Sequence, residues 1–150
     1  MAIFQSAQVR ANLPLPSANS ATEVIACVGD FTIPATGLLT GDILEMGGLP
    51  AGYVVVDALV DHSILGSAFT AGLGLLTGDY RGAPNRTCGT EFIAAATFQA
   101  AAVKRLTAGG RIAPTTNDRG IGLVISSTLT PTPGGTVRVT VLLRPQSEGV

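Results

Sequence analysis

The chain has 150 residues, of which 46% are hydrophobic and only 13% are charged, and its formal net charge is −1. Because an average domain carries about 25% charged residues, a surface so poor in charge suits a protein that is packed against other protein. The balanced charge predicts no partner among nucleic acids or anionic membranes, and no stretch reaches the roughly 20 apolar residues that cross a bilayer.

The first 22 residues differ in pattern from the rest of the chain and predict an extended arm. Pro14 and Pro16 each remove a backbone donor and fix φ, which favours an extended chain over a helix. Burying a large apolar side chain stabilises a protein by about 1.5–3 kcal/mol, and five such side chains in this segment would lose this free energy if they stayed in water. We therefore expect the arm to dock on its own domain or on a neighbour. These candidate interface residues are Ile3, Phe4, Val9, Leu13 and Leu15.

From residue 23 onward, short runs of β-forming residues alternate with turns rich in glycine and proline. In Thr136–Leu143, three valines alternate with polar residues, which is the pattern of a half-buried strand. The other predicted strands are Glu23–Val28, Asp42–Met46, Tyr53–His62, Phe69–Leu76 and Gly120–Ser126. About six to eight short strands of this kind predict one all-β domain over residues 23–145, a sandwich or a barrel, followed by a tail at 146–150.

The segment Glu91–Leu106 does not fit a simple strand pattern. It contains six alanines and neither glycine nor proline, so its local helix propensity is high. The sequence predicts a strand through Phe92–Ala94 followed by a short helix near residues 96–104.

Few residues suggest catalysis or metal binding. His62 is the single histidine, so a site with two histidine ligands within one chain is excluded. Asp57, Asp61, His62 and Ser63 resemble a catalytic group in composition, but strand alternation turns the two carboxylates to one face and the histidine to the other. Triad members are usually assembled from distant segments, so we predict no catalytic residue, no metal site and no cofactor.

The two cysteines, Cys27 and Cys88, are predicted to be buried free thiols, with a disulfide as the alternative. Arg86 lies two residues before Cys88 and could activate its thiol, although a buried structural cysteine is the favoured interpretation. The first residues include no apolar run of the length of a signal peptide, so we expect a protein of the cytoplasm or of an assembly built there.

A second group of candidate interface residues lies in a polar segment before the Gly120 strand. Its members are Arg111, Asp118 and Arg119. Asp118 could pair with either arginine and fix the entry into the strand, which would contribute about 0–1 kcal/mol if exposed. An ordinary polar loop is the alternative.

Several segments occur in an order that is informative. They are GLPAGYVVVD at 48–57, AGLGLLTG at 71–78, FIAA at 92–95, RIAP at 111–114, DRGIG at 118–122 and TVRVTVLLR at 136–144. Over roughly residues 23–145 this order resembles the capsid cement, or decoration, proteins of tailed bacteriophages, especially the jelly-roll cement proteins of short-tailed phages. The arm at 1–22 has no matching segment.

The resemblance implies a jelly-roll β-sandwich that binds the outer face of a phage head and cements neighbouring major capsid subunits. It implies assembly in the host cytoplasm, no enzymatic activity, and self-association into a homodimer, or alternatively a homotrimer. A virion-displayed module that binds a host glycan or receptor is a second hypothesis, with Tyr80, Asp79 and Arg81 as its candidate cluster. A cupin-like enzyme would need more metal ligands than one histidine supplies.

Overall fold

The computed structural model describes residues 1–10, 24–65, 69–98, 101–106, 113–127 and 134–146. These residues form nine strands and one helical turn. In chain order they are β1 (Ile3–Gln5), α1 (Ala7–Arg10), β2 (Ile25–Thr32), β3 (Ile43–Leu49), β4 (Tyr53–His62), β5 (Thr70–Leu75), β6 (Ile93–Thr97), β7 (Ala102–Arg105), β8 (Arg119–Ile125) and β9 (Thr136–Pro145). Within this part of the chain no helix is long or apolar enough to span a bilayer.

Strands β2 to β9 form two sheets that pack as a sandwich. One sheet has the order β2-β9-β4-β7, and the other has the order β3-β8-β5-β6 with β1 added in parallel beside β3. All the other strand pairs are antiparallel. The eight strands β2–β9 thus form a jelly roll, which confirms the predicted all-β sandwich. The arm supplies the ninth strand, one more than the six to eight that the sequence predicted.

The core lies between the two sheets and follows from strict alternation along the strands. In β9, Val137, Val139, Val141 and Leu143 are buried, while the residues between them face outward. The predicted bounds Tyr53–His62 agree with β4, whose alternation is shifted by a bulge between Val55 and Asp57. Alternating valines therefore located both strands and the inner face of β9 correctly. In β4 strict alternation would group Val54 and Val56 with the buried Ala58 and Val60, but the bulge leaves Val54 and Val56 outward and buries Tyr53 and Val55 instead.

The five-stranded sheet is covered on its outer face as well, because the segment between β5 and β6 folds back across it. Gly74 pairs with Gly122 across β5 and β8, and both lie beneath this segment. A Cβ on Gly74 would lie 2.3 Å from the backbone carbon of Gly89, and one on Gly122 would lie 2.6 Å from Leu76. These strand glycines leave room for the covering segment to approach the sheet closely.

The predicted helix near residues 96–104 is wrong for the residues that the structure describes there. Residues 93–97 form β6 and residues 102–105 form β7, while 99 and 100 lie outside the described residues. Ile93 and Phe98 are buried at the sandwich, and Thr97 pairs with Thr70 of β5. Tertiary pairing and the burial of these two large side chains outweigh the helix propensity of the alanines.

The arm combines an extended piece with a helical turn. Ile3–Gln5 is extended, as predicted, whereas Ala7–Arg10 forms one turn that the prediction did not include. The backbone amide of Arg10 donates to the carbonyl of Ser6 at 3.0 Å. The two prolines on which the prediction rested lie further along, at 14 and 16, outside the described residues.

Candidate interaction surfaces

A buried ion pair ties the outer covering of the five-stranded sheet to β3. Arg86 donates from Nη1 to Oε1 of Glu45 and from Nη2 to Oε2, both at 2.8 Å, and the two side chains are 5% and 0% exposed. Gln5 of β1 adds a 3.3 Å hydrogen bond to the same carboxylate. A Cβ on Gly120 would lie 2.5 Å from Oε1 of Glu45, so this glycine makes room for the pair. No local pattern in the sequence indicates the pair, since its members are 41 residues apart.

The described part of the arm contacts its own domain. Phe4 packs edge-on against Phe31 of β2 with ring centroids 6.0 Å apart, and Val9 is 3% exposed. Ile3 pairs with Ile43 in the parallel β1–β3 ladder and is half-buried. Leu13 and Leu15 lie outside the described residues.

The second group of candidate interface residues is engaged within the chain. Asp118 accepts a hydrogen bond from the backbone amide of Ala51 at 2.8 Å. Arg119 donates from Nε to the carbonyl of Leu76 at 2.7 Å. These contacts replace the predicted pairing of Asp118 with Arg119, and Arg111 lies outside the described residues. Both side chains hold neighbouring loops to the start of β8.

His62 is part of the core and is separated from the nearby carboxylates. It is 3% exposed, its ring lies 4.5 Å from that of Phe98, and its Nδ1 lies 2.9 Å from the carbonyl oxygen of Ser63. Nε2 has no hydrogen-bond partner within the described part of the chain. Asp57 and Asp61 face outward from the same strand, so the sequence assigned the two faces correctly.

Both cysteines are free thiols, as the sequence predicted, but only Cys27 is fully buried and Cys88 is half-buried. Burial is the main cause that raises the pKa of Cys88 to about 12, and the nearby carboxylate of Glu91 adds to the effect. The Cys88 Sγ lies 3.3 Å from the carbonyl oxygen of Gly122. Arg86 binds Glu45 instead of activating this thiol. Among the described residues no group of three or more histidine, cysteine or acidic side chains is placed to hold a metal ion.

The candidate glycan cluster lies in a shallow depression at one end of the sandwich. Asn117 donates to Asp79 at 2.9 Å, and the guanidinium carbon of Arg81 lies 4.8 Å from the centre of the Tyr80 ring. Contacts within the chain therefore already engage the amide, a carboxylate and one aromatic surface that a sugar would use. The lining residues are Ala51, Asp79, Tyr80, Thr116, Asn117 and Asp118.

The outward side of β2, β9 and β4 is an open surface with an apolar centre, which we call the β2-β9-β4 face. Two cross-strand rows form this centre. Thr140 of β9 lies between Val28 and Leu59, and Leu142 lies between Ala26 and the bulge at Val56 and Asp57. Val28 and Val56 are 40% and 43% exposed. The face thus exposes apolar side chains that the core does not use.

Charges border this apolar centre at both ends. At one end Arg138 lies between Asp30 and Asp61 in a single cross-strand row, with its Nε 2.7 Å from Oδ1 of Asp30. At the other end Arg144 lies opposite Val54. Arg144 and Asp61 form no ion pair with another described residue. The row around Arg138 therefore has a formal charge of −1, and the Arg144 end has a charge of +1.

Comparison with known proteins finds relatives among solved structures. A chain of the capsid of Ralstonia phage GP4 superposes with a TM-score of 0.88 and 30% sequence identity, over 98% of this chain and 100% of that one. A chain from the capsid asymmetric unit of cyanophage Pam1 gives a TM-score of 0.66 at 20% identity, over 91% and 95% of the two chains. A chain from the acid-stable capsid of Helicobacter pylori bacteriophage KHP30 gives 0.55 at 11% identity, over 82% and 88%.

No family model matches the sequence, and no curated protein matches it either. The cyanophage and Helicobacter phage chains share the fold alone, because their identities are low. The Ralstonia phage chain has the same fold over the full length of both chains, at 30% sequence identity. The jelly roll described above therefore belongs to the same family of phage capsid proteins as that chain, and the protein is a structural component of a virion.

Proposed function

We propose that the protein is a capsid cement, or decoration, protein that binds the outer surface of a phage head and holds neighbouring major capsid subunits together. The observation that carries this proposal is the full-length correspondence with one chain of a phage capsid. The order of sequence segments supports the finer assignment to the cement proteins of short-tailed phages.

The surface of the domain supports attachment to other protein. The β2-β9-β4 face exposes Val28 and Val56, and charged residues are scarce over the whole chain. A cement protein binds the assembled shell and not the dispersed subunit, so it stabilises the shell by mass action. Many copies on one lattice, or a dimer that engages two shell subunits, convert modest single contacts into firm attachment.

The proposed partners are the major capsid protein and further copies of this chain, with a homodimer favoured and a homotrimer as the alternative. The proposed location is the outer face of the capsid, after assembly in the host cytoplasm. The arm and the loop at Asp118 and Arg119 remain proposed contact regions. The side chains that the structure describes in the arm and in this loop make contacts within the domain. These two regions would therefore contact the shell through their backbone and through flanking residues.

Sedimentation with phage heads tests the proposal. Purified protein is mixed with mature heads that lack it, and the heads are pelleted and then heated. A cement protein saturates at a fixed number of copies per head, raises the temperature at which heads disrupt, and stays a small oligomer without them. A shell-forming protein would instead assemble into closed particles alone. Failure to bind heads, or closed particles formed without heads, would contradict the proposal.

A further inference from the structure

Asp42 is a buried carboxylate that forms no ion pair with a cationic side chain of the described residues. It is 4% exposed, and the ion pairs within the described chain are made by other carboxylates. Its Oδ1 accepts a 2.8 Å hydrogen bond from the backbone amide of Ala2, and its Oδ2 accepts one of the same length from the amide of Leu39. Because a buried charge is costly unless an opposite charge lies close to it, two neutral amides compensate this carboxylate only weakly.

We propose that the chain is cut between Met1 and Ala2, and that the new α-ammonium group of Ala2 forms an ion pair with Asp42. Hydrolysis adds one water molecule across the peptide bond: its hydroxyl completes the carboxyl group of the released methionine, and its proton goes to the nitrogen of Ala2. This amine then binds a second proton at neutral pH, because α-amino groups have pKa values of about 8. The enzyme required is a methionine aminopeptidase, a class that acts where the second residue is as small as alanine.

The fold holds the nitrogen of Ala2 where the ion pair needs it. The carbonyl of Ala2 accepts a 2.9 Å hydrogen bond from the amide of Ile43, and the parallel pairing of β1 with β3 begins at the next residue, Ile3. The nitrogen is therefore fixed at 2.8 Å from Oδ1 of Asp42. Met1 is 68% exposed and Ala2 is exposed as well, so removal of Met1 uncovers no core residue.

Processing converts a neutral hydrogen bond into a charge-assisted one, which is roughly twice as strong. Asp42 also closes the turn before β3, since its backbone amide donates to the carbonyl of Leu39 at 3.0 Å. The ion pair therefore anchors the start of the arm to this turn and fixes the register of β1 against β3. The inference is independent of the cement role, because it concerns how the arm is attached to its own domain.

Mass spectrometry of the intact protein, expressed in bacteria without a tag, tests the processing. We expect a chain that begins at Ala2 with a free amine. A mature chain that begins at any other residue overturns the inference. An acetylated Ala2 overturns it as well, because acetylation removes the terminal charge.

Thermal unfolding of two forms of the full chain tests the ion pair. Cleavage of a ubiquitin fusion leaves either Ala2 or Met1 as the first residue. At pH 7 the form that begins at Ala2 should melt about 2–4 °C higher. Asp42→Asn should abolish this difference, because asparagine keeps an acceptor oxygen but carries no charge. Asp118→Asn is the matched control, since Asp118 also accepts a backbone amide at 2.8 Å, and it should leave the difference unchanged.

The pH dependence of the same difference needs no substitution. An ion pair raises the pKa of an α-amino group above about 8, so the added stability is present below pH 8 and is lost as the pH rises through the raised pKa. On β3 and the turn before it, the titratable side chains are Asp42 and Glu45, and Glu45 is bound by Arg86. The charge of the arm's Arg10 lies at the other end of the arm. All these side chains are common to both forms, so the two melting temperatures should converge by about pH 11.

Equal melting temperatures of the two forms at pH 7 would overturn the ion pair. A difference that persists in Asp42→Asn, or at about pH 11, would overturn it too, because the stability would then not depend on the two charges.

Discussion

Arg86 binds Glu45 through two parallel hydrogen bonds of 2.8 Å, in a place where both side chains are buried. The pair joins the segment between β5 and β6 to the centre of β3. Gln5 connects β1 to the same carboxylate. The covering segment and two strands of the five-stranded sheet therefore meet at one charged group.

We expect Arg86→Met to destabilise the fold by about 3–5 kcal/mol, because it leaves the Glu45 carboxylate buried without a partner. Urea denaturation followed by circular dichroism measures the change. Arg105→Met is the control, since its ion pair with Asp57 lies at the surface and should matter little. A loss below about 1 kcal/mol for Arg86→Met would contradict the structural role given to the pair.

The double variant Glu45→Leu with Arg86→Met tests whether the cost comes from the unpaired charge. Replacing both members of a buried ion pair by apolar residues of similar volume is often neutral or stabilising. We therefore expect the double variant to recover most of the stability that Arg86→Met loses. Equal losses in the single and double variants would mean that packing, and not charge, explains the effect.

Gly74→Ala should cost more stability than Gly41→Ala, and the comparison separates steric overlap from backbone strain. A Cβ on Gly74 would lie 2.3 Å from backbone atoms of Gly89, which cannot move without shifting the covering segment. Gly41 has open space around the same position and a φ of 89°. We expect about 1–2 kcal/mol for Gly41→Ala and at least about 3 kcal/mol for Gly74→Ala. Equal melting temperatures would show that the segment does not lie on β5.

Cys88 should resist thiol reagents in the native protein. Its pKa is raised to about 12, so the reactive thiolate is almost absent at pH 8. We expect reaction with Ellman's reagent only after unfolding in guanidinium chloride. Rapid modification of both the wild-type chain and Cys88→Ser in the native state would assign the reactivity to Cys27. Rapid modification that is lost in Cys88→Ser would contradict the raised pKa of Cys88.

The same thiol gives a pH dependence of stability with a definite sign. Below pH 9 Cys88 is protonated in both states and contributes no slope. From about pH 9 to pH 12 the unfolded thiol ionises while the native thiol remains protonated, so stability falls as the pH rises. Denaturation midpoints of wild type and Cys88→Ser should diverge in this window and run parallel below it. Parallel curves throughout would contradict the raised pKa.

Deletion of residues 1–10 should weaken the fold itself. The segment contributes β1, the buried Val9 and Ser6, and the contact of Phe4 with Phe31. We expect a lower melting temperature. Binding to phage heads should fall only in proportion to the fraction of the protein that remains folded. Loss of head binding by a variant that is fully folded would instead assign the arm to the capsid.

The sequence predicted the strands with alternating valines because their pattern records burial directly. It misplaced a helix at residues 96–104, where alanines favour a helix locally but Ile93 and Phe98 are fixed by β5 and the core. It also missed Glu45 and Arg86, since nothing in a sequence links two charges 41 residues apart. Gly120 was the available signal, because a glycine inside a strand marks the space that such a pair needs. The sequence also does not reveal the β2-β9-β4 face, because this face depends on which strands are neighbours in the sheet.

In the proposed function this jelly roll is attached to the outside of a phage capsid and joins shell subunits. Electron cryo-microscopy of heads reconstituted with and without the protein tests it most directly. We predict additional density with the shape of this two-sheet domain on the outer surface, in contact with at least two neighbouring shell subunits. Density within the contiguous shell, density on a single subunit, or identical maps of the two samples would contradict the account.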